Sequence, residues 1–153
     1  NHSIHLVNAG AHEYYFAGSH KVMDLAPPPA STDLWTHIGA TVAARDADES
    51  GSALRMLDTA DPQRSLMATT NLNAAVAEGF RGIRELERPQ PVRADAGELS
   101  VFTDKGYNRC FAVLGLHRWL HTVADTIERV DARLVTPVLQ AHQRTMERAI
   151  DAL

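Results

Sequence analysis

The sequence predicts an all-α fold, a single-domain helical bundle of five or six helices whose last two are long and antiparallel. Apolar residues recur at helical spacing through most of the chain. A capping residue followed by proline, which is typical of a helix start, occurs at Asp61-Pro62 and at Thr136-Pro137. Strand-like content is confined to residues 99–103, for which no partner strand is evident.

Length and composition are those of a globular domain with a single core. The 153 residues are 44% hydrophobic and 22% charged, with a net charge of -4, so we expect no nucleic-acid partner. The longest apolar run, residues 111–116, is far shorter than the roughly 20 residues of a membrane span. With one cysteine and no secretory signal pattern, the sequence predicts a cytoplasmic protein that has no contact with a membrane.

The first 22 residues contain four histidines and allow two interpretations. Residues 13–20 resemble the remnant of an expression tag with its protease site. In that case residues 1–22 are tag-derived or poorly ordered, and residues 23–153 form the single helical domain. The competing interpretation is a short first helix over residues 11–22.

Further helices are predicted at about 32–46, in a short segment after Ser52, and at about 61–86, 107–134 and 136–153. Within 61–86, Gly79 and Gly82 each weaken a helix, which indicates a close contact with another helix or a ligand there.

The 107–134 helix is the centre of the prediction. Its apolar residues repeat with spacings of three and four, as in a coiled coil: Val113, Leu116, Leu120, Val123, Ile127, Val130 and Leu134. Together with the last helix, this seam predicts an antiparallel hairpin, within the chain or across the axis of a homodimer.

His117 and His121 would lie one turn apart on this helix, about 5–6 Å between Cβ atoms, so both imidazoles could reach one metal ion. Asp125 or Glu128 could complete the site or orient a ring. The pattern predicts a site for a divalent zinc, nickel or iron ion, or for haem. The alternative is a pair of partly exposed histidines beside acidic neighbours.

His37, on a predicted early helix, extends this hypothesis. A histidine on an early helix followed by His-x3-His on a late helix resembles the DinB/YfiT-like metal-binding helical bundles. The resemblance covers about residues 34–121 and implies a four-helix bundle that holds a divalent metal through His37, His117 and His121. Members of that family act as metal-dependent thiol transferases or hydrolases, or have unknown activity. This chain departs from the family pattern by a further helix after His121 and by a short segment in place of a full first helix.

Two more side chains are candidates for chemistry. His142 is expected to be a buried histidine with a hydrogen-bond partner, the alternative being a haem ligand or a fourth metal ligand. Cys110, beside Arg109, is expected to be a small buried apolar residue, the alternative being an activated thiolate.

Three functions therefore stay open. The first is a metal- or haem-binding bundle, including a metal-dependent enzyme of unknown substrate. The second is a small-molecule-binding sensory or regulatory dimer without a DNA-binding part of its own. The third is a structural interaction module that uses the 113–134 seam to bind a partner.

Overall fold

The computed structural model describes residues 2–94 and 96–152 and has a mixed α/β fold, so the predicted all-α bundle is wrong. The strands are β1 (Trp35–Ile38), β2 (Arg45–Asp48), β3 (Arg55–Ala60), β4 (Arg64–Ala68), β5 (Gln90–Pro91) and β6 (Cys110–Gly115). The α-helices are α1 (Ala17–Met23), α2 (Asn73–Gly79), α3 (Glu98–Asp104) and α4 (Ala132–Asp151). Short 3-10 turns occupy Pro29–Ser31, Ala40–Ala43, Thr70–Leu72 and Ile127–Arg129.

Four strands form the main sheet in the order β1-β6-β4-β5. Strand β6 runs parallel to β1 and antiparallel to β4, and β4 runs parallel to β5. Strands β2 and β3 form a separate antiparallel pair. The interior position of β6 therefore depends on neighbours from distant parts of the chain.

Strand β6 is buried on both faces. Phe111 and Val113 join the core that lies under α2 and α4, while Cys110 and Ala112 join a second core beside α3. All four residues are 0% exposed. A strand buried on both faces is apolar at every position, so it lacks the alternation that distinguishes a half-buried strand.

The helix predicted over 107–134 is wrong for this reason. An apolar run of this length is equally compatible with a buried strand and with a helix, and the choice depends on the sheet. Gly115, with a φ of +134°, ends the strand in a conformation that side chains rarely adopt, and an irregular loop follows.

The predicted single core is instead two clusters, one on each face of the sheet. The first contains Val42, Leu66, Ala68, Leu72, Val76, Phe80, Ile83, Leu86, Phe111, Val113, Val138, Ala141 and Ala149. The second contains Met67, Ala96, Leu99, Phe102, Tyr107, Cys110 and Ala112.

Two more predicted helices are also replaced. The 32–46 segment forms β1, a 3-10 turn and β2, and the 61–86 segment forms β4 and the short α2. β-branched and aromatic residues in β1 favour extended backbone once a sheet is present to pack against. The Asp61 carboxylate accepts a hydrogen bond from the Gln63 backbone N–H at 2.9 Å, so this aspartate caps the turn between β3 and β4 rather than a helix.

The last helix is confirmed, with a different start. Helix α4 begins after Asp131, whose carboxylate accepts a hydrogen bond from the Arg133 N–H at 2.8 Å, and Pro137 lies inside it. The predicted close contact of Gly79 is also confirmed, because a Cβ at that position would collide with Thr145 of α4. Gly82 instead serves a turn, with a φ of +79° and open space around it.

No helix among residues 2–94 and 96–152 is both long enough and apolar enough to cross a membrane.

His142 lies in the first core between two aromatic rings. Its ring centroid is 5.2 Å from that of Phe80 and 5.1 Å from that of Phe111, and it is 2% exposed. Because the Val138 carbonyl can only accept, the Nδ1 atom 2.9 Å away carries the proton. Burial lowers the pKa of His142, and the expectation of a buried, hydrogen-bonded histidine is confirmed.

We expect acid to destabilise the fold through this residue. The unfolded chain binds a proton at about pH 6.5, whereas folded His142 resists it, so stability is lost as the pH falls below that value. Each such histidine contributes a slope of up to about 1.4 kcal/mol per pH unit. Burial also lowers the pKa of His37, which adds to the effect.

Urea denaturation between pH 7 and pH 5 measures this slope. The His142→Gln variant should show a smaller slope than the wild type, and His20→Gln, at an exposed position on α1, should retain the wild-type slope. An unchanged slope in His142→Gln would contradict the assignment.

Candidate functional site

The segment between β6 and α4, residues 116–130, carries two of the three predicted metal ligands. We call it the β6–α4 loop. Apart from the 3-10 turn Ile127–Arg129, it has no helical structure, so His117 and His121 do not lie one helical turn apart. Its conformation depends on contacts with the β2–β3 pair and the turn that follows β3.

Arg118 is the main anchor of the β6–α4 loop. Its guanidinium donates to the Asp46 carboxylate at 2.9 Å, to the Glu49 carboxylate at 2.8 Å and to the Ala47 carbonyl at 3.1 Å. These partners lie on β2 and the turn after it. One planar side chain thereby holds the loop to a strand distant in sequence.

Arg118 also meets the buried carboxylate of Asp61. Asp61 is 0% exposed, and its Oδ2 atom lies 3.3 Å from the Arg118 backbone N–H and 3.6 Å from the Arg118 Nε atom. A buried carboxylate is costly unless it is paired and hydrogen-bonded. The burial of the Asp61 carboxylate therefore depends on its pairing with Arg118, and the same pairing helps to hold Arg118 in place.

The far half of the loop is held by an aromatic contact. The Arg129 guanidinium lies over the Trp119 ring, 4.5 Å from its centroid, and Arg129 Nε donates to the Ala124 carbonyl at 3.2 Å. The Asp131 N–H then donates to the Ala43 carbonyl at 2.9 Å. The loop is fixed at its start, middle and end.

Three large apolar side chains of this anchored loop point into solvent. Leu116 is 65% exposed, Ile127 is 78% exposed and Val123 is fully exposed at 104%. All three belong to the predicted coiled-coil seam, so the predicted packing of that seam is wrong. Only Val113 of the seam is fully buried, and it lies in β6.

The two histidines of the loop take separate partners. His117 is 7% exposed, and its Nε2 atom lies 3.7 Å from the Asp125 carboxylate. His121 is exposed, has a left-handed φ of +61°, and places its Nε2 atom 3.1 Å from the Glu13 carboxylate. Each histidine lies beside an acidic residue, but His117 is buried, whereas the alternative to a metal site was a pair of partly exposed histidines.

His37 lies on β1, in register with Ala112. Burial lowers its pKa, and the negative charge of Glu98 on α3 partly opposes that effect. The three histidines of the predicted site thus have different carboxylate neighbours.

The helical bundle that was predicted to hold the metal is wrong. Across the described part of the chain, no group of three or more His, Cys, Asp or Glu side chains is arranged to hold a metal ion. The helical spacing on which the metal site depended is also missing, because the loop replaces the helix. The binding of a divalent metal or haem stays a prediction, and no set of ligands is assigned to it.

Cys110 is the small buried residue that the sequence predicts. It is 0% exposed, its thiol donates to the Tyr107 carbonyl at 3.1 Å, and burial raises its pKa to about 12. Since the thiolate is the nucleophile, this thiol is inert at neutral pH.

A surface groove of about 510 Å³ lies at the carboxyl ends of the parallel strands β4 and β5, beside the end of α3. It is lined by Thr69, Val92, Arg93, Ala94, Thr103, Asp104, Gly106, Tyr107 and Asn108. The lining combines charges of both signs with hydroxyl and amide groups.

Sequence reasoning missed Arg118 and Asp61 as a pair. The sequence predicts that Asp61 caps a helix because a proline follows it, and Arg118 stands between the two histidines of the predicted metal site. No local signal links two residues so far apart in the chain.

Comparison with protein-family models, curated proteins and solved structures gives no match. The four-helix bundle implied by the resemblance to the DinB/YfiT-like proteins is not the fold observed.

We expect the Arg118→Ala substitution to destabilise the fold by about 3 kcal/mol, because it leaves the Asp61 carboxylate buried without its cation. The double variant with Asp61→Asn should recover part of that loss. Urea denaturation at pH 7 measures both.

Arg55→Ala is the matched control, since the Arg55 side chain is 72% exposed and pairs with Asp48 on the surface. If Arg118→Ala and Arg55→Ala lowered the free energy of unfolding by the same small amount, the contact of Arg118 with Asp61 would not anchor the loop.

Proposed function

We propose that this chain is a homotypic interaction module, which binds a second copy of itself through the β6–α4 loop. The observation that carries the proposal is the exposure of Leu116, Val123 and Ile127 on a loop that is otherwise anchored. Exposed apolar residues held in one place favour an interaction surface over an ordinary mobile loop.

The physical reason is the free energy of burial. Covering a large aliphatic side chain fully stabilises a complex by about 1.5–3 kcal/mol. The contacts of Arg118 and Arg129 order the loop before it binds, so little conformational entropy is lost on association. Three such side chains on one ordered loop supply the apolar centre that an interface needs.

A second copy is the partner that we favour. Apolar side chains need no opposite charge on the partner, so the same surface can serve on both subunits, and two-fold homodimers are the commonest soluble oligomers. The exposed acidic residues Asp125 and Glu128 would lie at the solvated rim of such an interface, where like charges are screened.

The double variant Val123→Asp, Ile127→Asp should be monomeric at concentrations where the wild type is a dimer, because two charges would be buried at the interface. Sedimentation velocity measures the difference. Leu25→Asp, at a position that is 83% exposed outside the loop, is the control and should remain dimeric. A wild-type protein that is monomeric at every concentration up to its solubility limit would refute self-association.

A second candidate function is the binding of a small polar molecule, favoured by the groove beside α3. Ligands of α/β proteins commonly bind outside the carboxyl ends of parallel strands. The carboxylate of Asp104, together with the hydroxyl and amide groups of the lining, suits a polar ligand that carries a positive charge.

A thermal-shift screen of polar metabolites, with hits repeated on Asp104→Ala, tests this function. A ligand of the groove should raise the melting temperature of the wild type and lose most of that effect in Asp104→Ala. The same ligand should still stabilise the control Asp58→Ala, which changes a carboxylate outside the groove. If no ligand is found, or if Asp104→Ala does not change the effect of the ligand, the groove is not a binding site for a polar molecule.

A further inference from the structure

Arg64, the first residue of β4, carries a buried charge whose hydrogen bonding is incomplete. Its side chain is 6% exposed, and its Nη2 atom donates to the Arg84 carbonyl at 3.0 Å. The Nε atom is buried and has no hydrogen-bond partner among the described residues. A guanidinium stays protonated in proteins, and a buried charge is costly unless an opposite charge pairs with it. The surroundings of Arg64 therefore favour an anion that can reach the Nε N–H.

The Glu85 carboxylate supplies a negative charge but does not fill this position. Its Oε2 atom lies 3.6 Å from Arg64 Nη2, which is longer than a hydrogen bond, and its Oε1 atom lies 2.7 Å from Arg84 Nε. Burial lowers the pKa of Arg64, and the negative charge of Glu85 opposes that effect. The strong pairs between arginine and an oxyanion are bidentate. Glu85 is thus a counter-ion of Arg64 with imperfect geometry.

The backbone around Glu85 is fixed by other contacts than this ion pair. Glu85 lies in the segment between α2 and β5, residues 80–89, in which Ile83 and Leu86 are buried in the first core. Between these two anchors Glu85 has a φ of +66°, in the left-handed region that residues with a Cβ rarely adopt. Such a conformation persists where the surrounding structure imposes it. The Glu85 side chain can therefore turn away from Arg64 while the backbone keeps its path.

We propose that Arg64 and Arg84 form a binding site for a phosphate group, and that the Glu85 carboxylate occupies this site until a phosphate displaces it. A phosphate has several acceptor oxygens, so one of them can accept from Arg64 Nε while another pairs with the Arg84 guanidinium. The Glu85 and Arg84 side chains are 19% and 79% exposed, so the site opens to solvent on their side. The proposal depends neither on self-association nor on the groove beside α3.

The neighbouring carboxylates have partners of their own. Glu78 pairs with the exposed Arg81, and Glu87 accepts a hydrogen bond from the Gly82 N–H at 3.2 Å. Among the described residues, Glu85 is the one whose carboxylate lies within 4.0 Å of the Arg64 guanidinium. A phosphate therefore has one competitor to displace, and removal of that competitor should tighten its binding.

An NMR titration of the full chain with inorganic phosphate, at pH 7 and constant ionic strength, tests the site. The readout is the Nε–H resonance of Arg64, which is identified by its loss in Arg64→Lys. We expect this resonance to shift saturably, with a Kd about tenfold lower in Glu85→Gly than in the wild type. Glycine also suits the left-handed backbone at this position. Glu85→Gln removes the same charge with a smaller change of shape and should lower the Kd as well.

Two further variants show whether the arginines hold the phosphate. In the Glu85→Gly background, Arg84→Ala should raise the Kd about threefold, because it removes one exposed cation. Glu87→Gln is the matched control, since it removes a negative charge from the same segment at a residue that pairs with Gly82 instead. It should leave the Kd of the wild type unchanged.

An Arg64 resonance that does not shift in the wild type or in either Glu85 variant would overturn the proposal. Equal tightening by Glu87→Gln and by the Glu85 variants would attribute the effect to net charge and would overturn it too. Phenyl phosphate, titrated in the same way, distinguishes the source of the phosphate group. Binding as tight as that of inorganic phosphate supports a phosphate monoester as the ligand, and weaker binding supports free phosphate.

Discussion

The burial of β6 on both faces is the constraint on which the rest of the structure depends. Cys110 and Ala112 on one side, and Phe111 and Val113 on the other, are all fully buried. Covering both faces requires α2 and α4 over one and α3 beside the other. It also places β1 and β4 along the two edges of β6, where they satisfy its backbone hydrogen bonds.

The β6–α4 loop begins where β6 ends. The path of the loop from there depends on the buried carboxylate of Asp61. Asp61 is enclosed at the turn after β3 and needs a cation, which Arg118 supplies. The same guanidinium binds β2 through Asp46. Charge pairing therefore orders the loop, while its side chains Leu116, Val123 and Ile127 remain exposed to water, and this contrast favours an interaction surface.

Histidines serve the protein in two different physical settings. His142 is enclosed by aromatic rings and is kept neutral by burial, so its protonation opposes folding. His2, His12 and His121 lie at the surface, and each has a carboxylate within 3.2 Å of a ring nitrogen.

The sequence by itself determined the globular character, the last helix, the burial of Cys110 and His142, and the close contact at Gly79. These follow from local patterns and from residue chemistry. Only the tertiary structure decided that 110–115 is a strand, because an apolar run does not distinguish a helix from a strand that is buried on both faces. It also decided that His117 and His121 contact different carboxylates, and that Arg118 pairs with Asp61. These contacts join segments that are distant in the chain, and local periodicity does not encode them.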